Sequence, residues 1–270
     1  MRLSISHRTR YDFDEPVVHG LQRLRLTPKS TSGQEVLSWD MEYDGAREQL
    51  SYEDHNCNTT VLVEVDPGVT HVEIACKGMV DTDDKAGIIG RHAGDLPLWH
   101  FNTQTDLTRP DAAMRALVDR VSGGDDMLQT MHALSAAIID AVRYETGTTT
   151  SQTTASEALG AGTGVCQDHA HIFLGCARIM KVPARYVSGY LMMNDRVDQE
   201  AGHAWAEAFV AGLGWVGFDI SNQISPDARY VRVATGRDYR EAAPITGISS
   251  GGHTDSMTVE LAVAQQTVDQ

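Results

Sequence analysis

The sequence predicts an α+β protein, in which an antiparallel β-sandwich precedes a unit built from a helix packed on an antiparallel sheet. Short segments in which apolar and polar residues alternate, separated by turn signals, fill residues 1–81, as is typical of a β-sandwich. Apolar residues at three- and four-residue spacing predict helices between residues 110 and 180, and alternating segments return after residue 183. Strand-rich and helix-rich parts that are segregated along the chain indicate the α+β class.

Chain length and segment order predict three parts. With 270 residues the chain exceeds one typical domain. We expect an N-terminal β-sandwich domain at residues 1–81, a connector at 82–109 and a second domain at 110–270. Alternation is clearest at residues 3–7 and 61–65, and again near the end of the chain at 257–263.

Composition excludes several classes of partner. A net charge of −15 and an isoelectric point near 5.0 argue against binding to nucleic acid or to an anionic membrane surface. The first residues lack an apolar run of signal-peptide length, and no later stretch reaches the roughly 18 apolar residues of a membrane span. We therefore expect a cytoplasmic protein. Four cysteines are too few for a disulfide framework, and Cys57 and Cys76 lie in predicted strands as small buried residues.

Helices are predicted on both sides of a glycine-rich segment. Pro110 suits the first turn of one helix, and Asp125 can cap the next, whose apolar face runs over residues 128–142. A short helical turn is expected at 155–159. The helix that begins at Cys166 must end before Pro183, because proline removes a backbone donor and restricts the residue before it.

The glycine-rich residues 160–165 deliver Cys166 to the first turn of that helix. Unpaired backbone N–H groups and the positive end of the helix dipole stabilise a thiolate at such a position. A helix-start cysteine alone is more often a buried small residue. The position nevertheless makes Cys166 the candidate nucleophile.

A nucleophilic thiol needs a histidine to take and return its proton, and a carboxylate to orient the histidine. His203 and Asp219, on two later predicted strands, are the candidates. Both must emerge on one face of the sheet. Because side chains alternate along a strand, this requires a pairing such as Phe209 opposite Trp215, or a bulge. The predicted catalytic residues are thus Cys166, His203 and Asp219.

Zinc is the main chemical alternative, since cysteine and histidine cluster at Cys166, His169, His171 and Cys176. On a helix, however, His171 points about 140° and Cys176 about 80° away from Cys166, so one metal cannot collect all four side chains. We predict no metal site. His169 and His171 are expected to flank or cover the site, and Cys176 to pack within the helix.

Four blocks of the sequence resemble, in order, the signature blocks of bacterial transglutaminase-like proteins, which are related to papain. They are residues 164–171, 182–190, 203–207 and 214–219, and the first 11 residues are similar to the N-terminal sandwich of that group. The resemblance implies a papain/transglutaminase-like catalytic domain at 110–270. It also implies that Cys166 is the nucleophile, His203 the base and Asp219 the orienting carboxylate.

The resemblance further implies acyl transfer on the amide bond of a peptide or protein through a thioester. Hydrolysis is the favoured outcome and transamidation the other. No cofactor is expected, because no Asp-x-Asp segment of the sequence has the form of a calcium-binding loop. The chain departs from the family pattern at two places. The family usually has an aromatic or apolar residue at the position of His169, and often Pro-Thr after the aspartate, where this chain has Ile220-Ser221. The alternative is a catalytically silent transglutaminase-like module that only binds a peptide or a partner protein. The sequence leaves the oligomeric state open.

Overall fold

The computed structural model describes residues 1–124 and 126–266 of the chain. The strands in the described residues are β1 (Arg2–Phe13), β2 (Val17–Leu24), β3 (Gln34–Asp44), β4 (Ala46–Glu53), β5 (Thr59–Val65), β6 (His71–Thr82), β7 (Ile88–Gly90), β8 (Arg143–Tyr144), β9 (Thr163–Gly164), β10 (Ala184–Leu191), β11 (Asp198–Gln199), β12 (His203–Val210), β13 (Gly214–Phe218), β14 (Tyr230–Gly236), β15 (Ile245–Gly251) and β16 (Thr254–Gln265). The helices are α1 (Ala112–Val121), α2 (Met127–Ala141), α3 (Ala155–Ala161), α4 (Cys166–Ile179) and α5 (Tyr239–Ala242), with a 3₁₀ helix at Leu98–Asn102.

Two antiparallel sheets form the predicted β-sandwich. One has the strand order β11-β16-β1-β6-β3 and the other β15-β2-β5-β4. Alternate residues of β5 point into the space between them, so Val61, Val63 and Val65 are buried against Ile74 of β6. The alternation that predicted these strands is therefore the alternation of the sandwich core.

The last two strands return to the sandwich. β16 pairs with β1 along its whole length, from Leu3 opposite Gln265 to Phe13 opposite Thr254, and β15 pairs with β2. Residues 245–265 thus complete sheets that begin at the N-terminus. The division into residues 1–81, 82–109 and 110–270 stays a prediction, and its third part supplies strands to the sheets of its first.

A third sheet, with the order β14-β10-β12-β13-β7, carries the helices, and we refer to it as the core sheet. α4 packs on β12, where Ala204, Ala206 and Ala208 present a smooth face to the helix. All eight residues of β10 are buried, and α4, α5 and the 3₁₀ helix all pack on this strand. This confirms the predicted α+β arrangement of a cysteine-bearing helix on an antiparallel sheet.

The connector contributes to the core sheet instead of merely linking two units. Its residues 88–90 form β7 and pair with β13. Phe101, in the 3₁₀ helix, is buried with its ring edge on Trp215, at a centroid distance of 5.2 Å. Its carbonyl accepts a 3.0 Å hydrogen bond from Nε of Arg178. The apolar half of the connector is therefore part of the core.

Aspartate side chains begin the two helices that precede the cysteine. α1 begins after Asp111, whose carboxylate accepts from Met114 N at 2.9 Å, so the placement of Pro110 inside the first turn was wrong by two residues. Asp126 caps α2 in the same way. Asp125, the residue predicted for that role, lies outside the described residues.

The glycine-rich segment before α4 is ordered. Gly160 lies inside α3, which begins with a capping box between Thr154 and Glu157. Gly162 ends the helix in the left-handed conformation with φ +70°, and the chain then pairs β9 with β8. A helix, a turn and a short parallel ladder thus fix the entry to Cys166.

All four cysteines are free, and their placement differs in part from expectation. Cys76 is buried in β6, as predicted. Cys57 was placed in a strand, but it lies in the turn between β4 and β5 with φ +57°. The tight Asp54–Asn58 turn imposes this conformation, since the Asp54 carboxylate accepts from two backbone N–H groups of the turn.

None of the helices in the described residues has both the length and the apolar character needed to cross a membrane.

Candidate active site

Cys166 is the first residue of α4 and follows Val165, the N-cap. The buried carboxylate of Asp168 accepts from Val165 N at 2.8 Å and from Thr149 Oγ1 at 2.7 Å, which ties the helix start to the preceding loop. Burial raises the pKa of Asp168. A Cβ on Gly164 would lie 2.9 Å from the Asp168 side chain, so the close approach requires glycine here.

His203 begins β12, and its ring is held by aromatic neighbours. It stacks on Trp205 with a centroid distance of 6.2 Å and an interplanar angle of 29°, and Tyr230 lies on another side. Directly opposite His203 in the ladder is Gly189. A Cβ there would come within 2.7 Å of the Trp205 ring, so glycine makes room for the stack.

The imidazole and the predicted carboxylate meet. His203 Nε2 lies 2.6 Å from Asp219 Oδ2. β12 and β13 pair with Phe209 opposite Trp215, which is the register that places both side chains on one face. Asp219 directly follows β13, where the chain turns back through a bridge to Ile224.

Two further donors reach the Asp219 carboxylate. The Tyr230 hydroxyl donates to Oδ2 at 2.7 Å, and so does the Asn222 amide at 2.7 Å. Burial alone would raise the pKa of Asp219, but the hydrogen bonds and the His203 charge outweigh it, and the net shift is downward. Neither residue was predicted. The alternating Tyr230–Thr235 segment, which is rich in β-branched residues, was the available signal for β14.

His203 lines the same cleft as Cys166 and is bonded to Asp219, and both residues affect its pKa. Burial would lower its pKa, since only 10% of the side chain is exposed. The hydrogen bonds and the negative charges of Asp219 and Cys166 reverse this and raise the pKa to about 10. The imidazole is therefore poised to carry a proton at neutral pH.

A cleft of about 320 Å³ contains both Cys166 and His203. The four tyrosines of its wall come from the segments that surround α4, and they are Tyr144, Tyr186, Tyr190 and Tyr239. The sandwich supplies another part of the wall through His7, Arg25 and Leu26. The site is thus assembled from both ends of the chain, a feature that the sequence did not reveal.

The wall contributed by the sandwich holds one charged group, Arg25, whose Nε donates to Asp54 Oδ2 at 3.0 Å. His7 is kept neutral at neutral pH, because burial lowers its pKa to about 4. Burial also raises the pKa of Tyr186 and of Tyr190 well above the ordinary value. Arg25 is the one Arg, Lys, Asp or Glu side chain among the described residues that line the cleft, and four tyrosines share the wall, as suits an extended apolar or peptide ligand.

The four side chains of the zinc alternative point to separate partners. His169 contacts Val142 O and Ser221 Oγ, His171 Nε2 accepts from Tyr239 N, and the Cys176 thiol faces Met114 O. Among the described residues, no group of three or more His, Cys, Asp or Glu side chains is arranged to hold a metal ion.

The two departures from the family pattern contact each other. His169 Nδ1 lies 2.8 Å from Ser221 Oγ, and its Nε2 donates to Val142 O at 3.0 Å, so the neutral ring accepts from the serine. His169 is fully buried. The pair joins the first turn of α4 to the loop that holds Asp219.

The sequence matches two family profiles. Residues 115–220 match the transglutaminase-like superfamily, and residues 3–81 match the bacterial transglutaminase-like N-terminal region. An uncharacterised protein of Mycobacterium leprae is 28% identical over 275 residues, which cover 96% of this chain and 98% of the relative. One of Mycobacterium tuberculosis is 28% identical over 279 residues, covering 92% and 87%.

The fold has a counterpart among solved structures. The crystal structure named "Putative Cysteine Protease from Cytophaga hutchinsonii" superimposes with a TM-score of 0.77 at 21% identity, over 100% of this chain and 92% of that one. The likeness extends over the sandwich as well as the core. The chain therefore has a transglutaminase-like core at residues 115–220, with the bacterial transglutaminase-like N-terminal region ahead of it at residues 3–81.

Proposed function

We propose that the protein catalyses cysteine-dependent acyl transfer on amide or peptide bonds, with Cys166, His203 and Asp219 as a catalytic triad. The observation that carries this proposal is that Cys166 and His203 line one cleft large enough for a substrate, while His203 Nε2 lies 2.6 Å from the buried Asp219 carboxylate. Each member has the position that its role requires: a helix start, a ring bonded through one nitrogen to the carboxylate, and a buried carboxylate.

The first half of the reaction forms a thioester. His203 already holds the proton of the Cys166 thiol as an imidazolium, and the thiolate attacks the amide carbonyl, forming a carbon–sulfur bond. The imidazolium then returns the proton to the departing amine nitrogen as the carbon–nitrogen bond breaks. Because His203 Nε2 is bonded to Asp219, Nδ1 is the nitrogen that serves Cys166.

Asp219 favours the charged form of His203 and fixes the orientation of its ring. Tyr230 and Asn222 hold the carboxylate in turn, each at 2.7 Å, and so act as positioning residues. For the oxyanion of the tetrahedral intermediate we propose the backbone N–H of Cys166, since N–H groups in the first turn of a helix have no partner within the helix.

The second half resolves the thioester. His203 takes a proton from the acceptor, whose oxygen or nitrogen attacks the carbonyl carbon, and the carbon–sulfur bond breaks to restore the thiol. We propose water as the acceptor, which makes the protein a peptidase or amidase, because water needs no binding site of its own. A primary amine would give transamidation by the same steps. The proposed location stays the cytoplasm, where free cysteines are the rule.

The decisive experiment compares the wild type with Cys166→Ala on a peptide library, with products identified by mass. Cys57→Ala is the matched control, because this thiol is outside the cleft. We expect turnover by the wild type and the control, and none by Cys166→Ala. Reaction in ¹⁸O-labelled water, with and without a primary amine, separates hydrolysis from transamidation.

The same data address the alternative of a binding module. If Cys166→Ala retains peptide binding and the wild type shows neither turnover nor a thioester adduct with an amide-bearing electrophilic probe, the enzyme proposal fails. The module alternative then takes its place.

A further inference from the structure

A second cavity, of about 460 Å³, lies on the face of the core sheet opposite α4. Ala206 and Ala208 face α4, so Glu207 between them points to the other side, where it meets arginines from both neighbouring strands. The wall carries four basic side chains: Lys29, Arg91, Arg185 and Arg232. No residue that lines this cavity lines the cleft around Cys166.

Two arginines share one buried carboxylate in this cavity. Arg185 Nε lies 2.6 Å from Glu207 Oε2, and Arg232 Nε lies 2.7 Å from Oε1. Arg232 Nη2 makes a longer contact of 3.2 Å to the same group. Both arginines are 8% exposed. Within the described residues, neither Arg185 Nη nitrogen meets a carboxylate, so one acid balances two guanidinium groups.

The Arg185 guanidinium is also fixed in position. Its central carbon lies 4.0 Å from the centroid of the Trp215 ring, a cation–π contact that holds the plane of the group. The free Nη edge is thereby preorganised as a pair of donors.

Lys29 adds a third basic group to the cluster. Its Nζ donates to Asn56 O at 2.7 Å and to Thr235 Oγ1 at 3.0 Å, and neither partner is charged. Burial, together with the charges of Arg232 and Arg185, lowers the pKa of Lys29 to about 6. At neutral pH the amine is therefore largely uncharged, and a negative charge placed beside it would raise its pKa and favour the ammonium form.

The wall offers little compensation of its own. Glu53 is the one carboxylate among the described residues that line the cavity, and it stands beside Cys57. The chain as a whole carries a net charge of −15, so a cavity with this excess of positive charge is not a consequence of composition.

We infer that this cavity is a binding site for an oxyanion, a phosphate or a carboxylate group, held between Lys29, Arg185 and Arg232. Such a group supplies the missing negative charge, and its oxygens suit the guanidinium edge and the ammonium donor. The inference does not depend on the proposed catalysis, because the two sites share no lining residue.

Cys57 lines the cavity and is half-buried, which makes it a local reporter. The test uses the full chain with Cys166→Ala, in which the two remaining thiols, Cys76 and Cys176, are buried. The rate of Cys57 alkylation by N-ethylmaleimide is measured against inorganic phosphate, sulfate and citrate, with chloride at matched ionic strength as the reference. We expect saturable protection by at least one of the three anions, and their order identifies the preferred group.

Lys29→Met in the same background should weaken the binding of the protecting anion by about tenfold or more, since it removes a charge-assisted contact. Lys77→Met, an exposed lysine paired with Glu42 on the sandwich, is the matched control and should leave protection unchanged. Protection equal to that by chloride in the parent chain would overturn the inference, whether or not Lys29→Met folds. Equal protection in the parent and in a folded Lys29→Met variant would overturn it as well.

Discussion

His7 Nδ1 lies 2.9 Å from the hydroxyl of Tyr190, and this contact joins the sandwich to the core sheet at the wall of the cleft. The rings meet edge to face at a centroid distance of 5.6 Å. His7 Nε2 is bonded to Thr9 Oγ1, so both ring nitrogens are satisfied inside the protein. The sandwich therefore shapes the proposed active site and is not a separate attachment.

Removal of the sandwich should abolish folding of the remainder. A chain that begins at residue 82 lacks β1 and β2, the partners of β16 and β15, and exposes buried Leu261 and Val263. We expect no cooperative thermal transition and no turnover, measured by circular dichroism and by the peptide assay. His7→Phe in the full chain is the control and should still fold. A truncated chain that folds and turns over substrate would contradict this view.

Cys166 should be the one strongly alkylated thiol at neutral pH. Burial raises the pKa of Cys76 and of Cys176 to about 12, and burial together with Glu53 raises that of Cys57. Cys166 instead lies at a helix start in the cleft that it shares with His203. Brief treatment with iodoacetamide followed by peptide mapping measures the labelling. Equal modification of any other cysteine in the folded protein would rule out a specially reactive Cys166.

Cys166→Ala should cost little stability. The side chain lies at the cleft, so its loss leaves no enclosed cavity, and we expect a change in the free energy of unfolding below about 1 kcal/mol. Cys176→Ala is the comparison, because that thiol is fully buried between α4 and α1 and its loss should cost more. Urea denaturation measures both. A larger loss for Cys166→Ala than for Cys176→Ala would indicate a structural role.

The charge state of His203 can be measured by NMR. Its pKa is raised from 6.5 to about 10, so the imidazole should remain protonated through neutral pH and titrate only in alkaline solution. Because the pKa in the folded state lies above that of the unfolded chain, the stabilisation is complete below about pH 6.5 and is lost as the pH rises towards 10. An inflection of the His203 ring signals near pH 6.5 would refute the assignment.

Asp219→Asn is the matching variant. It removes the main hydrogen-bonded carboxylate while keeping the shape of the side chain, and burial then dominates, so the pKa of His203 should fall by more than one unit. Turnover should fall by about 10²-fold or more, as for a triad that has lost its orienting group. An unchanged His203 titration in this variant would show that Asp219 does not set the charge of the ring.

The residues of the proposed triad were accessible from the sequence because each stands in a distinctive local frame. The glycine-rich segment before Cys166 marks the start of its helix. The strand that begins at His203 and the strand that leads to Asp219 follow from the alternation of side chains along a few residues. The surroundings of the triad were not accessible in the same way. Tyr230 reaches Asp219 from β14, and His7 reaches the cleft from the first strand, which are long-range contacts that no local pattern encodes.

Two strands of the sandwich, β4 and β15, have no clear signal in the sequence, and the physical reason is the same for both. β4 and β15 are the two edges of one sandwich sheet, and most of their residues are exposed. An exposed edge strand needs no alternation of apolar and polar residues, so its sequence resembles a loop. β15 in particular contains Ser249-Ser250-Gly251, residue types that are typical of turns, and its pairing with β2 keeps it extended.

The contact between His169 and Ser221 should prove to be a coupled pair. Ser221→Ala removes the donor to the buried His169 Nδ1, and we expect a loss of about 1 kcal/mol in the free energy of unfolding. His169→Phe, with the aromatic type usual in the family, should cost more, because Val142 O also loses its donor. In the His169→Phe background, however, Ser221→Ala should cost less than half as much, since no ring acceptor is then left unsatisfied.

The double-mutant cycle is measured by urea denaturation, and kcat and KM are followed in parallel. If the pair positions the Asp219 loop against α4, kcat falls while KM stays unchanged in both single variants. Additive losses, with both kinetic constants at the wild-type values, would reduce the pair to two independent packing contacts.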